Sequence, residues 1–277
     1  MPADGVYIEL MITDEQNNAF DAHGYFVLED VLDAATLSEC RAEIRRLHEH
    51  YGELKTKEAP ELQCFQIEPF SQVQKENDLP VLRKIEQTDR FSDVFRRLAE
   101  HPKLVAALRQ LLGPDLLLFR STLMLKPNHH GSAHGFHQDS AYWPMDPPVS
   151  ITLSIALTEA TPENGCFKVI PGSHQWDLQE WGQIWRDEGD GMTDRTDVDL
   201  SGQIEVPMRA GSALFLHSKL VHGSGPNMST NPRNTALYVY FPTNVSYKPL
   251  HAEEPKSKTF RVICGAGGRQ EITMTAV

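Results

Sequence analysis

The stretch Leu111-Leu-Gly-Pro-Asp-Leu-Leu-Leu-Phe-Arg-Ser-Thr-Leu-Met-Leu125 marks the point where the sequence changes from helical patterns to strand patterns. Its Gly113-Pro114 pair ends a segment with leucines at helical spacing, because glycine favours a helix C-terminus and proline cannot continue a helix. Residues 116–125 are the first of a series of candidate strands. This order of elements predicts an α+β fold, with a helical part followed by a part made of strands.

Upstream of Gly113, residues 13–112 are predicted to be mainly helical, with one short strand at 24–29. Thr13, followed by acidic residues and Gln16, is an N-terminal capping pattern. Apolar side chains then recur at the spacing of an amphipathic helix in three stretches. These side chains are Leu37, Cys40, Ile44, Leu47 and Tyr51, then Phe91, Val94, Phe95 and Leu98, and finally Leu104, Leu108, Leu111 and Leu112.

Downstream of Pro114, the sequence predicts short strands bounded by Gly, Pro and Asn. The predicted strands are 116–125, 150–158, 166–170, 203–208, 212–217 and 235–241. We expect them to form a double-stranded β-helix, the jelly roll of cupin-like proteins, over about residues 115–245. The helices would brace one sheet, and residues 1–277 would form a single domain. Residues 176–202 show no periodicity, and a loop of that length is a possible lid.

The composition limits the partners of the chain. Of its 277 residues, 40% are hydrophobic and 23% are charged, and the formal net charge is −12. Because the chain is this acidic, it is poorly suited to binding nucleic acid or an anionic membrane. We therefore expect a small-molecule ligand. The four cysteines are widely spaced and are predicted to be reduced thiols. With no signal peptide or membrane span evident, we expect a cytoplasmic location. The oligomeric state stays open.

The sharpest local pattern is Gly135-Phe-His137-Gln-Asp139. In an extended segment, side chains two residues apart project to the same side, so His137 and Asp139 can face one metal ion. The best candidate for a third ligand is His222, in Leu220-Val-His-Gly-Ser-Gly225. Two histidines and one carboxylate leave coordination positions open, which is typical of iron(II) oxygenases that bind a co-substrate and O2.

Arg233 lies eleven residues after His222, at the start of a predicted strand. A buried arginine can bind a carboxylate such as the distal end of 2-oxoglutarate through two hydrogen bonds. By itself, Arg233 is better explained by an ordinary surface ion pair.

Several alternatives compete with the metal hypothesis. The His-X-Asp pattern is common on its own, and a histidine before Gly-Ser-Gly can be a turn residue. A zinc site in the loop containing His129, His130 and His134 is a further alternative, although no cysteine lies near enough to complete a structural zinc cage.

Four segments together resemble the phytanoyl-CoA dioxygenase family, which includes ectoine hydroxylase. The resemblance runs from about residue 13 to about 245 and includes the spacing from the distal histidine to the arginine. The segments are His137-Gln-Asp-Ser-Ala-Tyr-Trp-Pro144, Thr161-Pro-Glu-Asn-Gly165, Val169-Ile-Pro-Gly-Ser-His174 and His222-Gly-Ser-Gly225.

The resemblance implies a jelly roll that binds Fe(II) through His137, Asp139 and His222 and reacts 2-oxoglutarate with O2. It places Arg233 at the family's 2-oxoglutarate arginine. Further co-substrate positions fall on Lys84, with Arg83 as the alternative across a one-residue gap, and on Thr122, Ser154 and Ser224. For the last three, ordinary strand packing or a turn is an equal alternative. Asp139 favours hydroxylation, because halogenating relatives have a small residue in its place.

The substrate is the least determined part of the prediction. Tyr142 and Trp143 are candidates for the substrate pocket, although plain core packing also explains aromatic residues there. We expect the oxidation of an aliphatic C–H bond in a small metabolite or natural product, with an acyl-CoA as the alternative substrate. Two rivals from other classes are a cupin-like metal isomerase or hydrolase and a catalytically silent binding module.

Overall fold

The computed structural model describes residues 12–68, 75–76, 79–129, 131–181, 198–251 and 253–277. The helices among them are α1 (Asp14–His23), α2 (Ala34–Thr56), α3 (Thr88–Phe91), α4 (Asp93–Leu98) and α5 (Pro102–Leu112). Short 3-10 helices cover Pro60–Cys64, Asp139–Ala141, Ser173–Gln175 and Ala266–Gly268.

Local chemistry sets the helix ends. The Thr13 side chain accepts a hydrogen bond from the Gln16 backbone N–H, and the Gln16 side chain accepts one from the Thr13 N–H, which is the capping box predicted there. Asp33 caps α2 by accepting from the Thr36 N–H at 2.7 Å. Pro102 occupies the first turn of α5, where its missing N–H leaves no hydrogen bond unmade.

Most of the described strands form two facing sheets. With strands numbered along the sequence, the main sheet has the spatial order β1 (Tyr25–Leu28), β12 (Ala213–His217), β9 (Ile151–Ala156), β14 (Arg233–Pro242), β6 (Leu116–Lys126), β16 (Ser257–Cys264) and β17 (Glu271–Thr275). It also contains β5 (Leu82–Glu86), paired to β6, and β2 (Phe65–Ile67), paired to β5. The second sheet has the order β11 (Ile204–Val206), β10 (Phe167–Val169), β13 (His222–Ser224) and β7 (His134–His137). Two small pairs are β8 (Met145–Asp146) with β15 (Ser246–Tyr247), and β3 (Lys75–Glu76) with β4 (Leu79–Pro80).

The main sheet buries both of its faces, because successive side chains of a strand point to opposite sides. One face packs on the helices: Leu153, Phe215 and Tyr238 share a core with residues of α2, α4 and α5. The opposite face packs on the second sheet, with Leu214 and Leu237 in a core that includes Phe167 and Val169. Side chains between the two sheets therefore line the interior of a jelly roll, and the predicted α+β fold is confirmed.

Each strand predicted between residues 116 and 241 is present with small shifts at its ends. The region predicted as mainly helical differs from that prediction, because it also contributes β2 and β5 to the main sheet. The hairpin of β16 and β17 was not predicted and extends the same sheet. Both additions pair with β6 or its neighbours, and such pairing depends on a tertiary partner that strand propensity does not reveal.

The possible lid at 176–202 lies mainly outside the described residues, since residues 182–197 are not described. Of its described ends, Trp181 is buried against Ile170 and Val221, with Val198 and Leu200 packed beside them. In the described ranges, no helix combines the length and the hydropathy required to cross a membrane.

Candidate active site

The three predicted metal ligands come together at the edge where the second sheet meets the main sheet. His137 ends β7, and His222 begins β13 as its direct cross-strand partner. Asp139 begins a 3-10 turn, but Gln138 before it is extended (φ −107°, ψ 123°), so His137 and Asp139 still project to the same side. One ligand atom from each of the three residues lies within 4.8 Å of the other two. All three residues are buried.

Hydrogen bonds fix the tautomers of both histidines. Nδ1 of His137 lies 2.9 Å from the Gly135 carbonyl, and Nδ1 of His222 lies 2.9 Å from the Leu220 carbonyl. Because a carbonyl oxygen only accepts, each Nδ1 carries the proton and each Nε2 keeps its lone pair. The Nε2 atoms of His137 and His222 lie 3.4 Å and 3.9 Å from oxygens of Asp139. Two lone pairs and a carboxylate directed at one point fit a cation.

Asp139 has one further contact that the sequence did not indicate. The Thr152 hydroxyl, on β9 of the main sheet, donates to Asp139 Oδ2 at 2.6 Å. Burial alone would raise the pKa of Asp139, but the neighbouring His222 and His137 and the Thr152 bond together hold the pKa of this carboxyl below its usual value. Burial and the nearby His137 lower the pKa of His222 to about 4. A neutral imidazole beside an ionised carboxylate is the protonation state that metal binding requires.

Arg233 is buried and lies near the three metal-ligand candidates. Its guanidinium donates to the Gly165 carbonyl and, at 3.3 Å, to the Thr235 hydroxyl. It also stacks over Phe167, with 5.2 Å from the guanidinium carbon to the ring centroid, and the His222 ring lies 6.0 Å from the same centroid. The guanidinium carbon is therefore at most the sum of these distances, about 11 Å, from the His222 ring. The surface ion pair considered for Arg233 is wrong, since the residue is 3% exposed.

The charge on Arg233 has no anionic partner within hydrogen-bonding distance in the described ranges, where its partners are a carbonyl and a hydroxyl. Its Nε is buried with no hydrogen bond. Burial lowers its pKa to about 10, so the guanidinium still carries its charge at neutral pH. A buried cation in this state is costly unless a ligand supplies a carboxylate.

Thr122 and Ser154 lie in one row across the interior face of the main sheet. Leu237 is the direct neighbour of both, through β6 on one side and β9 on the other. Leu237 packs toward the second sheet, so the Thr122 and Ser154 hydroxyls also face the interior. Both hydroxyl oxygens are buried without a hydrogen-bond partner among the described residues. Buried hydroxyls in this state call for a polar partner, and these two lie between the levels of Arg233 and Thr152 on the interior face.

Lys84 lies on β5, and its ammonium is 2.6 Å from the Glu86 carboxylate. Arg83 is skipped in the pairing of β5 with β2, which is a β-bulge. Since Leu82 and Ile85 both pack in the helix-side core, this bulge places Arg83 and Lys84 together on the opposite side. The register therefore places both cations on the interior side, and Arg83 is the more buried of the two at 8% exposure.

The remaining predicted residues also lie around the site. Ser224 is buried on β13, opposite His134 of β7. The Tyr142 ring is 6.2 Å from the His137 ring. Trp143 is buried, with its ring 5.5 Å from that of Phe119. The structure thus brings Tyr142 near the metal-ligand candidates, while Trp143 belongs to an aromatic cluster beside it.

Two more functional candidates were not identified from sequence. Lys126 is 4% exposed and lies directly opposite Arg233 on the neighbouring strand, and its ammonium donates to the Gly225 carbonyl. Burial and the nearby charges of Arg233 and Arg83 push the pKa of Lys126 well below its usual value. Gln138, between two of the metal-ligand candidates, is fully buried and hydrogen-bonds the Lys219 carbonyl, the Gln179 N–H and the Trp181 indole. A lysine before a proline and a glutamine inside His-X-Asp carry no periodic signal that reveals these positions.

The alternative zinc site is not formed by the described residues of the 129–134 loop. Within the described ranges, the only group of three His, Cys, Asp or Glu residues close enough to hold a metal is His137, Asp139 and His222. His134 is on β7, and burial together with His137 lowers its pKa well below the usual value. His130 lies outside the described residues.

A jelly roll with two histidines and one carboxylate at its interior edge, and a buried arginine nearby, defines the class of non-haem iron oxygenases that use an oxoacid co-substrate. Comparison with known proteins supports this class. A family model described as Phytanoyl-CoA dioxygenase (PhyH) matches residues 20–235. The chain belongs to the phytanoyl-CoA dioxygenase family.

Individual relatives agree with this assignment. An ectoine dioxygenase of Nocardia farcinica is 27% identical over 262 residues, covering 88% of this chain and 83% of the relative. The epimerase SnoN from nogalamycin biosynthesis, solved with Fe3+, alpha ketoglutarate and nogalamycin RO, is 27% identical, with a TM-score of 0.63 and coverage of 85% of each chain. EctD from S. alaskensis, solved with 2-oxoglutarate and 5-hydroxyectoine, is 26% identical, with a TM-score of 0.65 and coverage of 88% of this chain and 81% of that chain.

The protein is therefore a 2-oxoglutarate-dependent dioxygenase that uses Fe(II), 2-oxoglutarate and O2. The prediction of a 2-oxoglutarate-dependent dioxygenase is confirmed, against the alternatives of a metal isomerase or hydrolase that does not use 2-oxoglutarate and of a catalytically silent module.

Proposed function

We propose that this enzyme holds Fe(II) through His137, Asp139 and His222 and oxidises an aliphatic C–H bond of a small metabolite or natural product. The observation that carries the proposal is the convergence of two Nε2 lone pairs and one carboxylate within 4.8 Å. The chemistry these groups would supply when bound is the reaction of O2 with 2-oxoglutarate at Fe(II), in which one oxygen atom enters succinate, CO2 is released and the second oxygen atom oxidises the substrate C–H bond. The chain's own residues would bind and orient the co-substrate and the substrate, and they would exclude water from the site.

Arg233 receives the distal carboxylate of 2-oxoglutarate in this proposal. Its charge lies without a carboxylate partner among the described residues, within about 11 Å of the His222 ring. A carboxylate bound there would offset the cost of burying the guanidinium. The Thr122 and Ser154 hydroxyls, which have no hydrogen-bond partner among the described residues, would donate hydrogen bonds to the co-substrate, and Ser224 would do so from β13 of the second sheet. Lys84, beside the bulge, would add a positive charge that attracts the co-substrate, and Arg83 is the alternative cation for this role.

Backbone carbonyls orient the rings of the two ligand histidines through hydrogen bonds. The Gly135 and Leu220 carbonyls fix each ring with Nε2 directed at the metal position. Thr152 fixes one oxygen of Asp139, which leaves the other carboxylate oxygen, 3.4 Å from His137 Nε2, for the metal. The presence of Asp139 favours hydroxylation or a related oxidation over halogenation.

The first experiment is anaerobic addition of Fe(II) and 2-oxoglutarate to the apoprotein. We expect the visible metal-to-ligand charge-transfer band of chelated 2-oxoglutarate in the wild type and no band in His137→Ala. Arg233→Gln should keep iron binding but require much more 2-oxoglutarate to develop the band. Tight metal binding without any band in the wild type would refute the proposed co-substrate site.

The substrate can then be sought by admitting O2 to the protein loaded with Fe(II) and 2-oxoglutarate. Turnover of a panel of small metabolites is measured as succinate formed above the uncoupled rate without substrate. An acyl-CoA substrate is the alternative, and its preference over the corresponding free acid would replace the metabolite proposal.

A further inference from the structure

We propose that Arg120 and Lys258 form a subsite that binds an anionic group of the substrate at the solvent-exposed end of the interior face, opposite Arg233. This inference rests on the proposed function, because it assigns the class of substrate that the same cavity takes. It predicts a substrate with a carboxylate or a phosphate attached to an apolar portion.

The strand register places Arg120 at the level of the metal-ligand candidates. Val239 is the direct neighbour of Arg120 on one side and of Thr152 on the other. Direct neighbours across strands point to the same face of a sheet, so Arg120 and Thr152 share the interior face. Thr152 contacts Asp139 at 2.6 Å. Because adjacent strands lie about 4.8 Å apart, the backbone of Arg120 is roughly 10 Å from that of Thr152.

The same register separates Arg120 from the 2-oxoglutarate position. Along β14, Val239 is six residues from Arg233, which is about 20 Å of extended strand. Thr122 and Ser154, the hydroxyls proposed for 2-oxoglutarate, lie in the row between these two levels. The interior face therefore has the buried Arg233 at one end and the solvent-exposed Arg120 at the other, and the proposed function uses only the Arg233 end for the co-substrate.

An aromatic ring lies beneath both cations. Phe119 is the extra residue of the β-bulge in β6, and it packs with interior residues of β14 and β16. The Lys258 ammonium is 4.7 Å from the centroid of the Phe119 ring, and the Arg120 guanidinium carbon is 5.8 Å from it. The Trp143 ring, four residues beyond Asp139, is 5.5 Å from the same ring. An apolar part of a ligand can rest on these rings while its charge meets the cations.

The electrostatics of this pair favour an anion. Within the described ranges, neither Arg120 nor Lys258 forms a salt bridge, although 38 acidic residues give the chain its net charge of −12. Both side chains are exposed, so water screens part of the repulsion between these two like charges. Partial desolvation and then Arg120 lower the pKa of Lys258, against a smaller opposing effect of Glu254. An anion placed between them removes this repulsion and gains two charge-assisted hydrogen bonds.

The test uses three probes that share one apolar chain: hexanoate, hexyl phosphate and hexanamide. Binding to the wild-type protein is followed by quenching of tryptophan fluorescence, with Trp143→Phe identifying the reporter. We expect one of the two anionic probes to bind about tenfold or more tightly than hexanamide, since each tenfold corresponds to about 1.4 kcal/mol. Which anion binds more tightly distinguishes a carboxylate from a phosphate substrate.

The variants are Arg120→Gln, Lys258→Met and their combination, with Lys256→Met as the matched control. Lys256 is an exposed lysine just before β16 that has no part in the cluster. We expect the double variant to bind hexanamide as the wild type does and to lose the preference for anions, while Lys256→Met keeps it. The proposal is overturned if the wild type shows no such preference, or no binding of either anion at millimolar concentration. It is also overturned if the double variant retains the preference.

This outcome is distinguishable from failure of the proposed function. Probe binding is measured without iron or 2-oxoglutarate, whereas the charge-transfer band tests the metal and co-substrate site. A normal band in the double variant with a lost anion preference assigns the two cations to the substrate alone.

Discussion

Replacing Thr152 by valine removes the one side-chain hydroxyl that contacts Asp139 in the described structure. The bond runs from Thr152 Oγ1 to Asp139 Oδ2 over 2.6 Å, and Thr152 is 5% exposed. Valine keeps the branched shape and the strand preference of threonine, so the variant mainly deletes the donor. In the variant, Asp139 Oδ2 stays buried but no longer accepts the hydrogen bond from residue 152.

The expected cost follows from the charge of the acceptor. A hydrogen bond to an ionised group contributes roughly 1.5–3 kcal/mol, and partners that orient a metal ligand typically contribute about tenfold to a hundredfold in metal affinity. Because the carboxylate loses its fixed orientation, we expect Thr152→Val to bind Fe(II) about tenfold to a hundredfold more weakly than the wild type. Thr152→Ser retains the hydroxyl and should recover most of the affinity.

The assay is anaerobic competition for Fe(II) against a coloured chelator, without 2-oxoglutarate. Ser154→Ala is the matched control, because it removes a buried hydroxyl from the same face of the same strand that has no hydrogen-bond partner in the described structure. We expect unchanged iron affinity in this control. Its affinity for 2-oxoglutarate should fall if Ser154 contacts the co-substrate.

A folded Thr152→Val variant with wild-type iron affinity would refute the reasoning. It would mean that the two histidines and the cavity walls position Asp139 without the hydroxyl. Equal losses in Thr152→Val and Ser154→Ala would also contradict it, because only one of these hydroxyls contacts a proposed ligand.

Three further predictions concern residues around the site. Lys126→Met should weaken 2-oxoglutarate binding by about tenfold, because Lys126 lies opposite Arg233. The binding of 2-oxovalerate, which lacks the distal carboxylate, should be unchanged. Equal losses of affinity for both oxoacids in titrations of the charge-transfer band would indicate a structural role instead. Burial, with His174 and Lys219, lowers the pKa of His217 to about 4, so the stability that neutral His217 contributes is present above pH 6.5 and is lost as the pH falls toward 4. Urea unfolding of the apoprotein at pH 7 and pH 5 should therefore show a smaller pH dependence in His217→Gln than in the wild type, and an unchanged dependence would exclude this residue as a source. Gln138→Leu removes the side-chain oxygen that accepts from the Gln179 N–H and the Trp181 indole, and the amide that donates to the Lys219 carbonyl. It should lower the free energy of unfolding by about 2–4 kcal/mol, measured by denaturant titration, whereas the exposed Gln203→Leu should change it little.

Much of the candidate site could be predicted from the sequence because its residues are local or spaced regularly. His137 and Asp139 are separated by one extended residue, so the pattern itself predicts that they face one point. The strands of residues 116–241 were predicted because turn residues bound short apolar runs. Thr122 and Ser154 came from the family resemblance, and the structure shows both facing the interior.

Other parts depend on contacts between distant segments and could not be predicted. β5 has a mixed charged and apolar sequence and becomes a strand because the edge of β6 is available to pair with it. The Phe119 and Arg83 bulges decide which side chains face the cavity, and a bulge leaves no clear signal in the local sequence. The sequence around Thr152 is that of an ordinary strand, and only the folded structure shows that its hydroxyl donates to Asp139.

The sequence by itself determined the α+β order of elements, the three metal-ligand candidates and the arginine eleven residues after the distal histidine, because these features are written in residue type and spacing. Tertiary structure alone decided the environment of those residues. It buried Arg233 without a carboxylate among the described residues, placed Lys126 opposite it and set Arg120 and Lys258 on the Phe119 ring. The physical reason is that burial, charge partners and strand register are properties of neighbours brought together by folding, and they fix what each side chain can bind.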